Sequence, residues 1–186
     1  VEEQRARLPP PATCEDPVEG IWKSHDYDPR WGDWTVFTLE VHRVEGSENE
    51  LEGLIFNDTW YGDDKQSEPG PCQGQLRFKV SMDAKGTVVD GKIAFGGVGQ
   101  WRMDEVVCGS WNGGYNLDQF TGTIDPEIQE FQSVNNDGGR AVNAPTVFRR
   151  VKCFDDGTAD DAPFVEVAPP PFYPPQEEKA GCGCSP

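Results

Sequence analysis

Apolar and polar side chains alternate along most of the chain between Gly20 and Cys153. The segment "QLRFKVSM" is the cleanest case: Leu76, Phe78, Val80 and Met82 share one face, while Arg77, Lys79 and Ser81 share the other. A two-residue period marks a strand with one buried and one wet face. "WTVFTLEVHRV" repeats it, with Phe37, Leu39 and Val41 opposite Thr38, Glu40 and His42. Further strands are predicted over 20–23, 51–61, 87–95, 99–108, 115–124 and 146–152,. Turn-forming clusters stand between them: "EGSENE", "DAKG", "GGVG", "WNGG" and "NNDGG",. "DPEIQEFQS" reads two ways. Asp125, Pro126 and Glu127 resemble a helix start, with Ile128 and Phe131 three apart,. A tight turn at Asp125–Pro126 leading into a strand is the reading taken.

Three segments, "LEGLIF", "VDGKIAF" and "FTGTI", place Gly53, Gly91 and Gly122 near a strand start, where a strand bends or closely approaches a neighbour,. Their uneven spacing argues against a solenoid and for successive hairpins of one curved meander. About eight short strands with no long helix predict an all-β fold, a single antiparallel up-and-down barrel, with a β-sandwich as the alternative. Closing the sheet removes exposed edges. The chain divides into an extended arm over 1–17, a barrel over 18–153, an acidic and proline-rich linker over 154–179, and a cysteine-containing tail over 180–186. "PPPFYPPQ" in the linker favours polyproline II and an extended, semi-rigid spacer,.

"GIW" at the first strand (Gly20, Ile21, Trp22) resembles the Gly-x-Trp signature of lipocalins and avidins, the calycin-type barrels. The resemblance implies that Trp22 closes the barrel's base under an arginine near the last strand, a place open to Arg149 or Arg150 of "TVFRRV". The glycine echoes also look like avidin strands. No residue of avidin's ligand site maps onto this chain.

Composition narrows the setting. Sixteen basic against 33 acidic residues leave a net charge of −17, which repels nucleic acid and anionic membranes and excludes both as partners,. No apolar run approaches the length of a spanning helix,. No charged-then-apolar leader opens the chain at Val1, as expected of a processed form,. Six cysteines, an even number, fit an oxidising compartment,. Cys14, Cys72, Cys108 and Cys153 allow three pairings. Cys14–Cys153 with Cys72–Cys108 is favoured, because the first pair brackets the strand-rich region and fastens its ends,. A zinc site is disfavoured, since no CxxC pair occurs and His25 and His42 have no matching partners,.

The remaining cysteines, Cys182 and Cys184 in "AGCGCSP", stand one residue apart and cannot close a relaxed disulfide with each other,. "GCGCS" behind a stiff spacer resembles the start of the C-terminal sorting tail of myxobacterial surface proteins, which implies a cysteine carrying a lipid on the bacterial cell surface. The membrane is then reached only through that anchor.

Chemistry is sparse. His25 and His42 are expected at the surface, and no catalytic residue, metal site or cofactor is expected. "DDGTADD" lacks the alternation of a calcium loop and reads as acidic linker,. Aromatic residues are the better lead. Trp31, Trp34, Trp60, Tyr61, Trp101, Trp111 and Tyr115 sit beside turns, which in a barrel fall at the mouths, where they could stack a sugar or enclose a small apolar molecule,. The expected function is a secreted or surface-displayed, non-enzymatic binding or adhesion module for a small molecule or glycan. The alternatives are a coat or filament subunit, and a hydrolase using carboxylates such as Asp63 and Asp64,.

Overall fold

The computed structural model describes residues 1–70, 72 and 75–154. One short helix, α1 (Glu2–Arg7), precedes nine strands. They are β1 (Gly20–Lys23), β2 (Asp26–Asp28), β3 (Asp33–Arg43), β4 (Glu50–Tyr61), β5 (Arg77–Val89), β6 (Lys92–Val107), β7 (Gln119–Asp125), β8 (Glu130–Asn135) and β9 (Ala144–Lys152). Each of β3 to β8 pairs antiparallel with the next in sequence. β1 hydrogen-bonds β3 on one edge and β9 on the other, and so closes eight strands into a barrel. β2 resumes the pairing with β3 after a break at Ser24 and His25, where the Ser24 amide still donates to the Phe37 carbonyl at 3.0 Å.

Two expected turns are absent and an unexpected one replaces them. "DAKG" (83–86) lies inside β5, where Asp83 and Lys85 point outward and the small Ala84 and Gly86 sustain the inward face. "GGVG" (96–99) lies inside β6 at a bulge: Asp83 pairs with Val98 but Met82 with Trp101, which leaves Gly99 and Gln100 unpaired,. The chain instead reverses at Asp90 and Gly91, both with positive φ (50° and 72°), as a two-residue hairpin demands,. β7 begins at Gln119, four residues later than expected, and "DPEIQEFQS" forms a turn and then β8, as read from the sequence.

Gly53 marks the tightest approach in the wall. Its φ is +155°, and a Cβ there would stand 1.8 Å from the Glu40 carbonyl oxygen and 3.6 Å from the Phe95 ring. The β3 and β4 backbones can therefore approach this closely only because position 53 has no side chain.

The interior is apolar at one end and polar at the other. Val41, Leu39 and Phe37 lead up β3 to Thr35; Leu51 and Ile55 lead up β4 to Asn57 and Thr59. Phe131 gives way to Ser133 and Asn135 on β8, and Phe148 to Thr146 on β9. The apolar end is the base, sealed by Trp22 and Arg150, each 1% exposed. The Arg150 guanidinium carbon lies 5.1 Å from the Trp22 ring centroid,. The same side chain donates to the Glu19 carbonyl at 3.0 Å and to Gln129 Oε1 at 2.9 Å, while the Trp22 indole donates to the Val18 carbonyl at 2.9 Å. Arg149, the other arginine considered for this place, points outward and pairs with Glu130 at 2.9 Å.

The arm over 1–17, expected to be extended throughout, carries α1, and α1 mends the seam. Above Lys23 the barrel strand β9 has no strand partner on its free edge among the described residues. The Gln4 amide takes that role: its Oε1 accepts from the Val147 N–H at 3.2 Å and its Nε2 donates to the Pro145 carbonyl at 3.3 Å. Arg5 and Arg149 clamp the buried Glu130 carboxylate from two sides, each at 2.9 Å,.

Both disulfides favoured from the sequence are formed. Cys14–Cys153 lies at the base, and Cys72–Cys108 ties the β4–β5 connection to the end of β6 at the opposite rim.

Truncating Trp22→Ala removes the ring that supports Arg150 and leaves a cavity under a buried cation. We expect a loss of about 3–5 kcal/mol in urea unfolding. Cys14→Ser with Cys153→Ser is expected to cost about 4–5 kcal/mol by the loop-entropy relation, read the same way.

Candidate functional site

The polar end of the barrel opens into a cavity of about 280 Å³. Its floor is Phe37, which packs edge-on against Phe120 at 5.0 Å. One wall is polar: Thr35, Asn57 and Thr59 from β3 and β4, then Asn135 and Thr146 from β8 and β9. The opposite wall is aromatic, with Phe78, Trp111 and Tyr115; the Phe78 and Trp111 rings lie 4.3 Å apart. Asp26, Asp28, Arg30, Asp137 and Arg140 stand at the rim.

The polar wall is largely pre-organised by its own hydrogen bonds. The Thr59 hydroxyl donates to Asn57 Oδ1 at 2.6 Å and lies 3.3 Å from the Thr35 hydroxyl. Asp118, 2% exposed, accepts from the Tyr115 hydroxyl and from Asn135 Nδ2, both at 2.7 Å. Asn135 Oδ1 in turn accepts the Gln119 N–H at 3.1 Å, and the Asp118 carbonyl accepts the Gly97 N–H at 2.8 Å. The β6–β7 connection is thereby fastened to β6 on one side and to the end of the adjacent β8 on the other. Burial pushes the Asp118 carboxyl up to about 6, the nearby Asp137 adds to this, and the two donors offset only part of it,. Burial, followed by the Asp118 charge, raises the Tyr115 phenol well above its ordinary value.

At the rim, Arg140 reaches from the β8–β9 connection to Asp33 and holds both carboxylate oxygens at 2.7 Å. Its guanidinium carbon also lies 4.9 Å from the exposed Trp31 ring. Arg30 holds Asp28 through two contacts at 3.0 and 3.1 Å.

Of the seven aromatic residues expected at a mouth, Trp111 and Tyr115 line this cavity. Trp101 packs behind Tyr115, with centroids 6.0 Å apart. Trp31 sits under Arg140 outside the cavity, and Tyr61 pairs with Asp33 at the end of β4 without lining it. Trp34 and Trp60 lie on the outer face of the wall, stacked at 6.2 Å, and do not line this cavity. Their indoles donate at 2.8 Å to the Asp63 and Gln66 carbonyls and pin the β4–β5 connection to the outside. His25, expected in an open polar loop, packs edge-on against both rings and binds the Ser67 carbonyl at 2.8 Å; burial lowers its pKa. Asp63 accepts the Lys65 N–H within its own exposed loop. Asn57, Thr59, Asp118 and Asn135 are site residues that the aromatic argument did not name.

Among the described residues, no group of His, Cys, Asp and Glu is arranged to hold a metal ion, and no helix is long and apolar enough to cross a membrane. Cys182 and Cys184, and the linker beyond Phe154, lie outside the described residues. Comparison of the chain with protein-family models, curated proteins and solved structures finds no match. The closed eight-stranded antiparallel barrel is compatible with a calycin-like fold.

The raised Asp118 value has a definite sign. A carboxyl whose folded-state pKa exceeds its unfolded value contributes stability below about pH 4 that is lost as pH rises through about 6,. Wild type is expected to lose about 3 kcal/mol relative to Asp118→Asn over that window, measured by urea unfolding at each pH.

Proposed function

We propose that this protein is a non-enzymatic binding module that takes a small polar molecule into the mouth of its barrel. The reading is carried by one observation: the inward faces of β3, β4, β8 and β9 all turn from apolar at the base to hydrogen-bonding at the mouth. A barrel interior that served packing alone has no use for Asn57, Thr59, Asn135 and Thr146 beside an open volume, because each polar group carried inside needs a partner. A ligand with hydroxyls or amides supplies partners on that wall and lays an apolar face on Trp111 and Phe78. At about 280 Å³ the space is below the ~300–1,000 Å³ common for drug-sized ligands, which favours a compact molecule such as a single sugar ring or a small aromatic compound,.

Secretion and surface display belong to the same proposal. Two disulfides favour an oxidising compartment, and the "GCGCS" tail resembles a sorting signal that leaves a lipid-bearing cysteine,. Intact mass spectrometry of the natively made protein is expected to find a lipid mass on Cys182 or Cys184; unmodified thiols there would remove the anchor.

The cavity reading is tested by titrating small-molecule fragments against the protein and following amide and indole signals by NMR. Saturable shifts are expected at Asn57, Thr59, Trp111 and Asn135, and Trp111→Ala is expected to weaken binding about tenfold, in line with the ~0.5–1.5 kcal/mol of an aromatic contact. Saturable shifts only on the outer face, around Trp34 and Trp60, would sink the reading.

A further inference from the structure

Asp118 holds a position that the barrel itself does not explain. It is 2% exposed, it lines the cavity, and both groups that bind it, Tyr115 and Asn135, are neutral donors. Among the described residues no lysine, arginine or histidine lies within ion-pair distance of it. The two cations nearest the opening are already committed: Arg30 holds Asp28, and Arg140 holds Asp33 in a two-pronged contact. The other rim carboxylates add to the imbalance. Asp26 has no ion-pair partner among the described residues, and Asp137 accepts only the backbone N–H groups of Gly139 and Ala141. The cavity therefore has a buried carboxylate at its wall, further carboxylates at its rim and, among the described residues, no unpaired cation lining it.

A buried carboxylate without a counter-charge is costly, and a fold that needed only hydrogen bonds there would be served by an asparagine. The aromatic wall beside it adds quadrupole faces that also attract positive charge. We propose, building on the cavity reading above, that the cavity takes a small organic ammonium ion, its charge set against the Asp118 carboxylate and its apolar body against Phe78, Trp111 and Tyr115. The ammonium hydrogens match the oxygens of Asp118 and Thr59, and anionic ligands are turned away at the rim.

The probes are 2-phenylethylamine, its neutral counterpart 2-phenylethanol, and glucose, each titrated into the full chain and followed by NMR at the Trp111 indole and the Asn57 and Asn135 side-chain amides. At pH 7 the amine is expected to bind at least tenfold more tightly than the alcohol, and Asp118→Asn to abolish the difference. Wild type alone gives a second readout that does not depend on the variant folding. Lowering the pH from 7 to 5 protonates Asp118 and is expected to weaken the amine about tenfold, since a group titrating near 6 is then mostly neutral,. The other charged groups at the mouth are Asp26, Asp28, Asp137, Arg30 and Arg140, of which Asp28 is held low by its hydrogen bonds from Arg30; the alcohol is expected to be indifferent to pH. Equal affinity for amine and alcohol, or amine binding that ignores pH, would overturn the ammonium assignment and leave the cavity reading standing. Saturable shifts from none of the three compounds would remove both.

Discussion

The whole arrangement depends on one four-residue strand pairing with a neighbour on each side. Gly20 to Lys23 lie between β3 and β9, and without them the sheet would be open, with two unpaired edges and an apolar face in water,. The contact is short, and side chains extend it. Trp22 points from it into the base, Arg150 caps the ring, and the Arg150 guanidinium reaches the backbone of the 16–19 segment that leads into β1. Higher up, where β1 no longer reaches β9, the Gln4 amide stands in for a peptide group. Closure is thus shared among a strand, a stacked cation and a glutamine from the arm, each covering a different height of the same seam.

Closure at the base leaves the other end free for chemistry. The apolar lower interior supplies the packing, so the upper interior can carry groups that contribute little to it. Asn57, Thr59, Asn135 and Asp118 are held mostly by one another, and the Cys72–Cys108 bridge anchors a connection beside them. A wall held in place in this way has little freedom left to lose, which would favour a ligand of the kind proposed.

The barrel was legible in the sequence because the two-residue period runs unbroken through most strands. It was misread where small residues hid it. Ala84 and Gly86 in "DAKG" continue an inward face that a turn-forming composition disguises, and Asp90–Gly91, a plain hairpin pair, was taken as strand interior. The candidate site was half legible. Position near a turn brought forward five of the six tryptophans alike, yet the same period separates them: Trp34 alternates with Thr35 and Phe37, and Trp60 with Thr59, so both face outward. Read by face, polar residues in step with Leu51 and Ile55 would have pointed to Asn57 and Thr59. Asp118 was less accessible, since it precedes β7 and its burial depends on Tyr115 and on Asn135, 17 residues further along at the end of β8.

The Cys14–Cys153 bridge has a mechanical consequence. It joins the segment ahead of the first strand to the residue just after the last, with Cα atoms 5.5 Å apart. Tension applied along the polypeptide from opposite directions passes from one sulfur to the other and never enters the strands between them. A barrel stapled in this way stays unstrained when the chain is pulled from the two sides of the bridge.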